Sequence, residues 1–199
     1  MSTETSVARV ERCRKEVDAH PESAVAHFNL ALAYTMRGQL GPAEEAYRKT
    51  LELDPDRVEA WVNLGGIHLM KWDFRASLEA NREALKRKED LVLAHYNMGQ
   101  AHLYLAEPEG VVRCNRKVIE LDPRHAAGHY FLAVGLLAIE KVDEAREQLA
   151  VAMDLGHRPA PEFLRGLERA EKNRLEEQSQ SVDNPGAGSP DQDKNAKED

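Results

Sequence analysis

Histidine is the residue type that most invites chemistry in this 199-residue chain, which holds eight of them. His27, His95 and His129 fall at multiples of 34 residues, and so do His68 and His102. His95 and His102 are seven apart, which on a helix gives one face but about 10 Å of axial separation. Metal ligands on one helix more often sit three or four apart. The spacing therefore reads as imidazole replacing an aromatic ring at a packing position, and not as a metal site. Buried imidazoles would make stability sensitive to pH near neutrality. Cys13 and Cys114 have no CxxC or Cys/His spacing and read as two reduced thiols. Neither a nucleophile–base signature nor a phosphate-cradling glycine loop is present. The cluster Arg113-Cys114-Asn115-Arg116-Lys117 reads as the solvated face of a helix. No catalytic residue, metal or cofactor is expected, and the chain is not expected to be an enzyme.

Composition narrows the partners. Charged residues make up 31% of the chain and the net charge is −8. A nucleic-acid surface would need a clustered basic excess, so none is expected. The longest apolar run, Phe131 to Ile139, is far short of the roughly 20 residues that cross a membrane. Met1 to Arg9 lacks a basic-then-apolar signal pattern. No membrane association is expected, and the location is expected to be cytoplasmic.

The elements that carry these residues follow from a period. Leu53-Asp54-Pro55 and Leu121-Asp122-Pro123 lie 68 residues apart, and midway between them, at Glu89, the chain again reads as a helix end. The segments that follow the breaks match one another. They are His27-Phe28-Asn29-Leu30-Ala31, Trp61-Val62-Asn63-Leu64-Gly65, His95-Tyr96-Asn97-Met98-Gly99 and His129-Tyr130-Phe131-Leu132-Ala133, each 34 residues after the last. Within each unit, repeat positions 4, 7, 8 and 11 form one stripe of a 3.6-period helix. Small residues at positions 8 and 20 allow two helices to approach closely. One helix pair cannot bury its faces alone, so the units must stack.

On these residues the chain resembles the tetratricopeptide repeat family, over residues 24 to 157. The signature positions read His27, Leu30, Ala31, Tyr34, Ala43, Tyr47, Thr50 and Pro55 in the first repeat. In the second they read Trp61, Leu64, Gly65, His68, Ser77, Asn81, Ala84 and Glu89. The third and fourth repeats follow the same register. The closing proline is missing from the second and fourth. Asn81 and Asn115 stand where the second helix usually packs a large apolar group. The resemblance implies an all-α fold, a right-handed α-solenoid of four helix-turn-helix repeats at 24–57, 58–91, 92–125 and 126–157. Residues 1–23 read as an N-terminal half-repeat helix that either caps the stack or leaves a docking edge. Gly156 reads as a helix stop, and residues 158–178 as a capping helix. Residues 179–199 read as a disordered acidic tail, solubilising or binding.

The resemblance also implies where a partner would lie. Positions 2, 5, 6, 9, 12 and 13 of each first helix line the concave surface in this family. An ordinary surface helix would be charged there. Here, of 24 such positions only Glu59 is charged. The expected peptide groove comprises Phe28, Asn29, Leu32, Val62, Asn63, Met70, Tyr96, Asn97, Gln100, Tyr104, Tyr130 and Phe131. Asn29, Asn63 and Asn97 share one position in successive repeats. They read either as a carboxamide ladder for the backbone of a peptide or as residues with local hydrogen bonds. Members of the family that clamp a chaperone's C-terminal carboxylate place basic residues on this surface. Phe28, Leu32, Leu93 and Asn97 stand in those places, so that clamp is not expected. The chain is expected to be an adaptor or assembly chaperone for a protein or peptide client. The alternative is a self-assembling scaffold, a homo-oligomer docked through the half-repeat.

Overall fold

A computed structural model describes residues 6–183. Among them the chain is helical throughout, with no strand. The helices are α1 (Ser6–Ala19), α2 (Ala24–Met36), α3 (Leu40–Leu53), α4 (Val58–Met70) and α5 (Phe74–Arg87). They continue with α6 (Val92–Tyr104), α7 (Pro108–Leu121), α8 (Ala126–Ala138), α9 (Val142–Asp154) and α10 (Pro161–Asp183). Two compact units result, one ending at Pro159 and the other beginning at Ala160. The first is an α-solenoid of helical repeats. The second contains α10, which continues five residues past the expected helix end at 178. The remainder of the expected acidic tail, 184–199, lies outside the described residues, as do residues 1–5.

Three helices begin on a side chain that caps the backbone. Ser23 and Asp73 accept from Ala26 N and Ala76 N at 3.2 and 3.1 Å, capping α2 and α5. His125 Nδ1 does the same for Gly128 N at 2.9 Å. Pro108 opens α7, where its missing N–H costs nothing. The first helices all close in one way. Gly38, Trp72, Ala106 and Glu140 take φ of 68°, 63°, 55° and 62°. The next residue's N–H then reaches back five residues, as Asp73 N does to His68 O at 2.9 Å. This is a Schellman closure, and it turns the chain directly into the second helix. Gly156, at φ 88°, ends α9 likewise.

Packing follows the repeat. The two helices of each repeat pack together, and each second helix also packs on the first helix of the next repeat. First helices touch one another, α4 on α6 and α6 on α8, while second helices make no comparable contact. The stack therefore splays on the second-helix side, and the first helices line its inner side. Ala31, Gly65, Gly99 and Ala133 are buried, and so are Ala43, Ser77 and Ala145 of the second helices. A Cβ added to Gly65 would stand 2.1 Å from Asn81 Nδ2, and one added to Gly99 2.6 Å from Asn115 Nδ2. The unusual asparagines thus fill the space over glycine, at the repeat position that Tyr47 and Leu149 hold in the alanine-bearing repeats.

Candidate functional site

The inner face is built by α2, α4, α6 and α8, and its large side chains divide by exposure. Val25, Met36, Met70, Leu93 and Tyr104 are at least half exposed. Phe28, Leu32, Asn63, Tyr96, Gln100, Tyr130 and Phe131 are half-buried, and Asn29 is exposed. Arg57 lies 4.4 Å over the Phe28 ring. His125 lies 5.0 Å from the Tyr96 ring and His157 stacks at 4.3 Å on Tyr130. Tyr96 and Tyr130 both meet Phe131, at 5.9 and 5.3 Å. Burial pushes the Tyr96 phenol up, and a hydrogen bond with Gln100 opposes it.

Two of the twelve expected groove residues are closed to a ligand. Val62 is buried against Ala84 and Leu91. Asn97 is buried, its amide 3.4 Å from Asn81 Oδ1 and 3.5 Å from Val62 O. The asparagines therefore form no continuous ladder: Asn29 is open, Asn63 half-covered, and Asn97 spent on joining α6 to α4 and α5. The cause is local. Asn81 sits over Gly65, its own amide donates to Ser77 O at 2.8 Å, and its carbonyl needs a donor.

Met70, Gln100 and Tyr104 meet in a cavity of about 250 Å³ together with Leu69, Trp72 and Phe74. Phe74 and Tyr104 stack at 4.7 Å with 3° between planes, and Trp72 meets both edge-on at 5.9 and 5.4 Å. Trp72 lies in the turn after α4 and Phe74 opens α5, so neither falls on the stripe of a first helix. The signal was a tryptophan 34 residues after Gly38, in a slot that the first repeat gives to glycine.

The outer side holds larger clefts. One of about 790 Å³ lies between α3 and α5 and one of about 730 Å³ is walled by α5 and α7. Their rims mix three basic and three acidic residues each, such as Arg48, Arg82 and Lys86 with Glu52, Glu79 and Glu83. Several rim charges are bridged locally, as in Lys86–Glu83 and Lys117–Glu120. The result is a solvated, charge-balanced surface. The position-4 histidines face the turn before their own helix. Their Nε2 atoms bond the turn six residues back: His27 to Pro21 O at 2.9 Å, His95 to Glu89 O and His129 to Pro123 O at 3.0 Å. Trp61 Nε1 donates to Pro55 O in the same way at 2.8 Å. Among the described residues no group of three or more His, Cys, Asp or Glu could hold a metal ion, and no helix is long and apolar enough to cross a membrane.

Comparison with known proteins places this architecture. A family model described as tetratricopeptide repeat matches residues 24–57. No curated protein matches the chain in sequence. Among solved structures the chain is similar to MamA, with 20% identity, a TM-score of 0.72, and 75% of this chain and 88% of that one covered. It is also similar to YrrB, described as a TPR protein with an unusual peptide-binding site, at 18% identity, TM-score 0.68, and 87% and 99% coverage. PilF of Pseudomonas aeruginosa gives 21%, 0.71, 87% and 82%. These likenesses are to the fold. Taken with the 34-residue period of the helices, they show an α-solenoid of helical repeats whose first unit, residues 24–57, matches the tetratricopeptide repeat.

Proposed function

We propose that the chain is a non-enzymatic adaptor that holds a protein segment along the inner face of its first helices. The observation that carries this reading is the near absence of charge from that face, combined with the exposure of Val25, Met36, Met70, Leu93 and Tyr104. Scattered apolar residues on a surface need no explanation, but an aligned set on successive repeats does. The charge-balanced outer clefts offer a partner less, because charged side chains rim their apolar floors. Division into a half-repeat, four repeats and a capping helix, and a cytoplasmic location, belong to the same proposal.

Self-assembly through α1 is the weaker reading. Arg9 and Glu16 stand where later second helices bury Ala43 and Thr50 against their own first helices. A helix docking there would have to desolvate both charges. The cleft between α1 and α2, of about 150 Å³, is walled partly by Arg12 and Glu16. Light scattering on the full chain from micromolar to submillimolar concentration should give a monomer throughout. For the inner face, Leu93→Glu and Met36→Glu should each remove captured partners while circular dichroism and melting stay as in the wild type. An unchanged partner set in both variants would sink this reading.

A further inference from the structure

The pocket of Leu69, Met70, Trp72, Phe74, Gln100 and Tyr104 has a chemistry of its own. Its backbone conformation belongs to the repeat, since Ala106 and Glu140 share the left-handed φ of Trp72. The indole does not: it is 70% exposed in a slot that needs no side chain at all. Its neighbours hold it in place. The stacked Phe74–Tyr104 pair forms a flat wall, and the indole stands edge-on to both rings.

The polar tips of these rings are what distinguish them. Trp61 Nε1 bonds Pro55 O, Tyr34 OH accepts from Arg14, Tyr47 OH from Thr35, and Tyr96 is bonded by Gln100. Trp72 Nε1 and Tyr104 OH, on rings 5.4 Å apart, make no hydrogen bond among the described residues. The pocket thus offers two aromatic hydrogen-bond donors, a flat ring surface and no charged lining residue.

We propose that this pocket docks a proline-rich segment of a partner protein in the polyproline II conformation, an inference that rests on the inner-face reading above. Such a segment has no internal hydrogen bonds and presents bare carbonyls, and its prolines have no N–H to satisfy. Donor-rich aromatic surfaces complement it, and proline rings lie flat on aromatic faces. A helical segment has its carbonyls already bonded and would leave both donors unmet. An extended strand would bring N–H groups to a site poor in acceptors. A charged segment would find no counter-charge on the lining. The segment is also stiff before binding, so little ordering entropy opposes docking.

The test uses the full chain labelled with ¹⁵N and two indole resonances, that of Trp72 assigned by its loss in Trp72→Phe. The probes are a ten-residue peptide of Pro-Pro-Leu-Pro repeats, a Gly-Ser peptide, an amphipathic helical peptide, and a peptide of residues 184–199, which contains Pro185 and Pro190. The proline peptide should shift the Trp72 indole saturably and leave that of Trp61 unmoved. Trp72→Ala should weaken binding about tenfold or more, as loss of a tryptophan anchor does. Tyr104→Phe removes one hydroxyl only, and should weaken binding severalfold without altering melting. No saturable shift at millimolar peptide overturns the proposal. So does equal or tighter binding of the helical peptide, or of the 184–199 peptide, which would make the chain its own ligand. Partner binding that survives Trp72→Ala but is lost in Leu93→Glu overturns the proline pocket and leaves the inner-face reading standing. Survival in both overturns the inner face as well.

Discussion

Position 6 of the repeats shows how one residue's role is set by another 16 residues before it. Asn97 follows Asn81 by that interval and lends it an amide at 3.4 Å. Phe131 follows Asn115 by the same interval and has nothing to lend. Asn115 Nδ2 donates to Val111 O at 2.9 Å, but its Oδ1 is buried with no partner. The two asparagines, alike in the sequence, should therefore respond oppositely to the same change. Asn81→Leu strands the Asn97 amide and should cost about 1–3 kcal/mol, the penalty for a buried unsatisfied polar group. Asn115→Leu removes an unpaired carbonyl and should be neutral or stabilising by up to about 1 kcal/mol. Urea unfolding of the two variants gives the comparison, and equal losses would remove the distinction.

Within the helices, the closure after each first helix is the feature least protected by sequence. Only the first repeat places glycine at its left-handed residue, Gly38. Ala106 holds φ 55° and is exposed, so its methyl group has strain without compensating burial. Ala106→Gly should stabilise the chain by roughly 0.5–1 kcal/mol, measured as a higher melting temperature. The glycines inside α4 and α6 behave in the opposite sense. Gly65→Ala gains helix propensity of about 1 kcal/mol. It also drives a methyl group to 2.1 Å from the Asn81 amide, which is itself bonded and cannot swing freely. Net destabilisation is expected, and an alanine variant that melts higher would show that Asn81 yields more easily than its packing implies.

For the whole molecule, pH sensitivity centres on His68. It is buried, 6% exposed, where α3, α4 and the α4–α5 turn meet. Burial lowers its pKa, the charges of Glu44 and Asp73 oppose that shift, and Arg48 and Lys71 reinforce it. The unfolded chain then binds a proton that the folded chain refuses. The stability due to neutral His68 is complete above its ordinary pKa of about 6.5 and is lost as pH falls below that value. Between pH 7.5 and 5 the wild type should lose more in melting temperature than His68→Leu. Equal losses would place the acid sensitivity elsewhere.

The sequence made the fold legible because the 34-residue period fixes helix starts, turns and small-residue contacts together. Burial pairs one helix with another and is harder to read from one stripe. Asn29, Asn63 and Asn97 look identical along the chain, yet only the glycine–asparagine pairing of Gly65 with Asn81 explains why Asn97 turns inward. That pairing was present in the sequence as Gly65/Asn81 and Gly99/Asn115 against Ala31/Tyr47 and Ala133/Leu149. Trp72 escaped for a different reason: helical periodicity says nothing about residues in a turn.

The uneven contact between first helices also bears on how the stack comes apart. Repeat arrays open in segments, and they open first where the coupling between neighbours is weakest. α4 packs on α6 and α6 on α8, whereas α2 makes no comparable contact with α4. α3 also packs less on α4 than α5 does on α6 or α7 on α8. Amide hydrogens of α2 and α3 should therefore exchange with solvent ahead of those in α5 to α8. The stack should open from its first repeat.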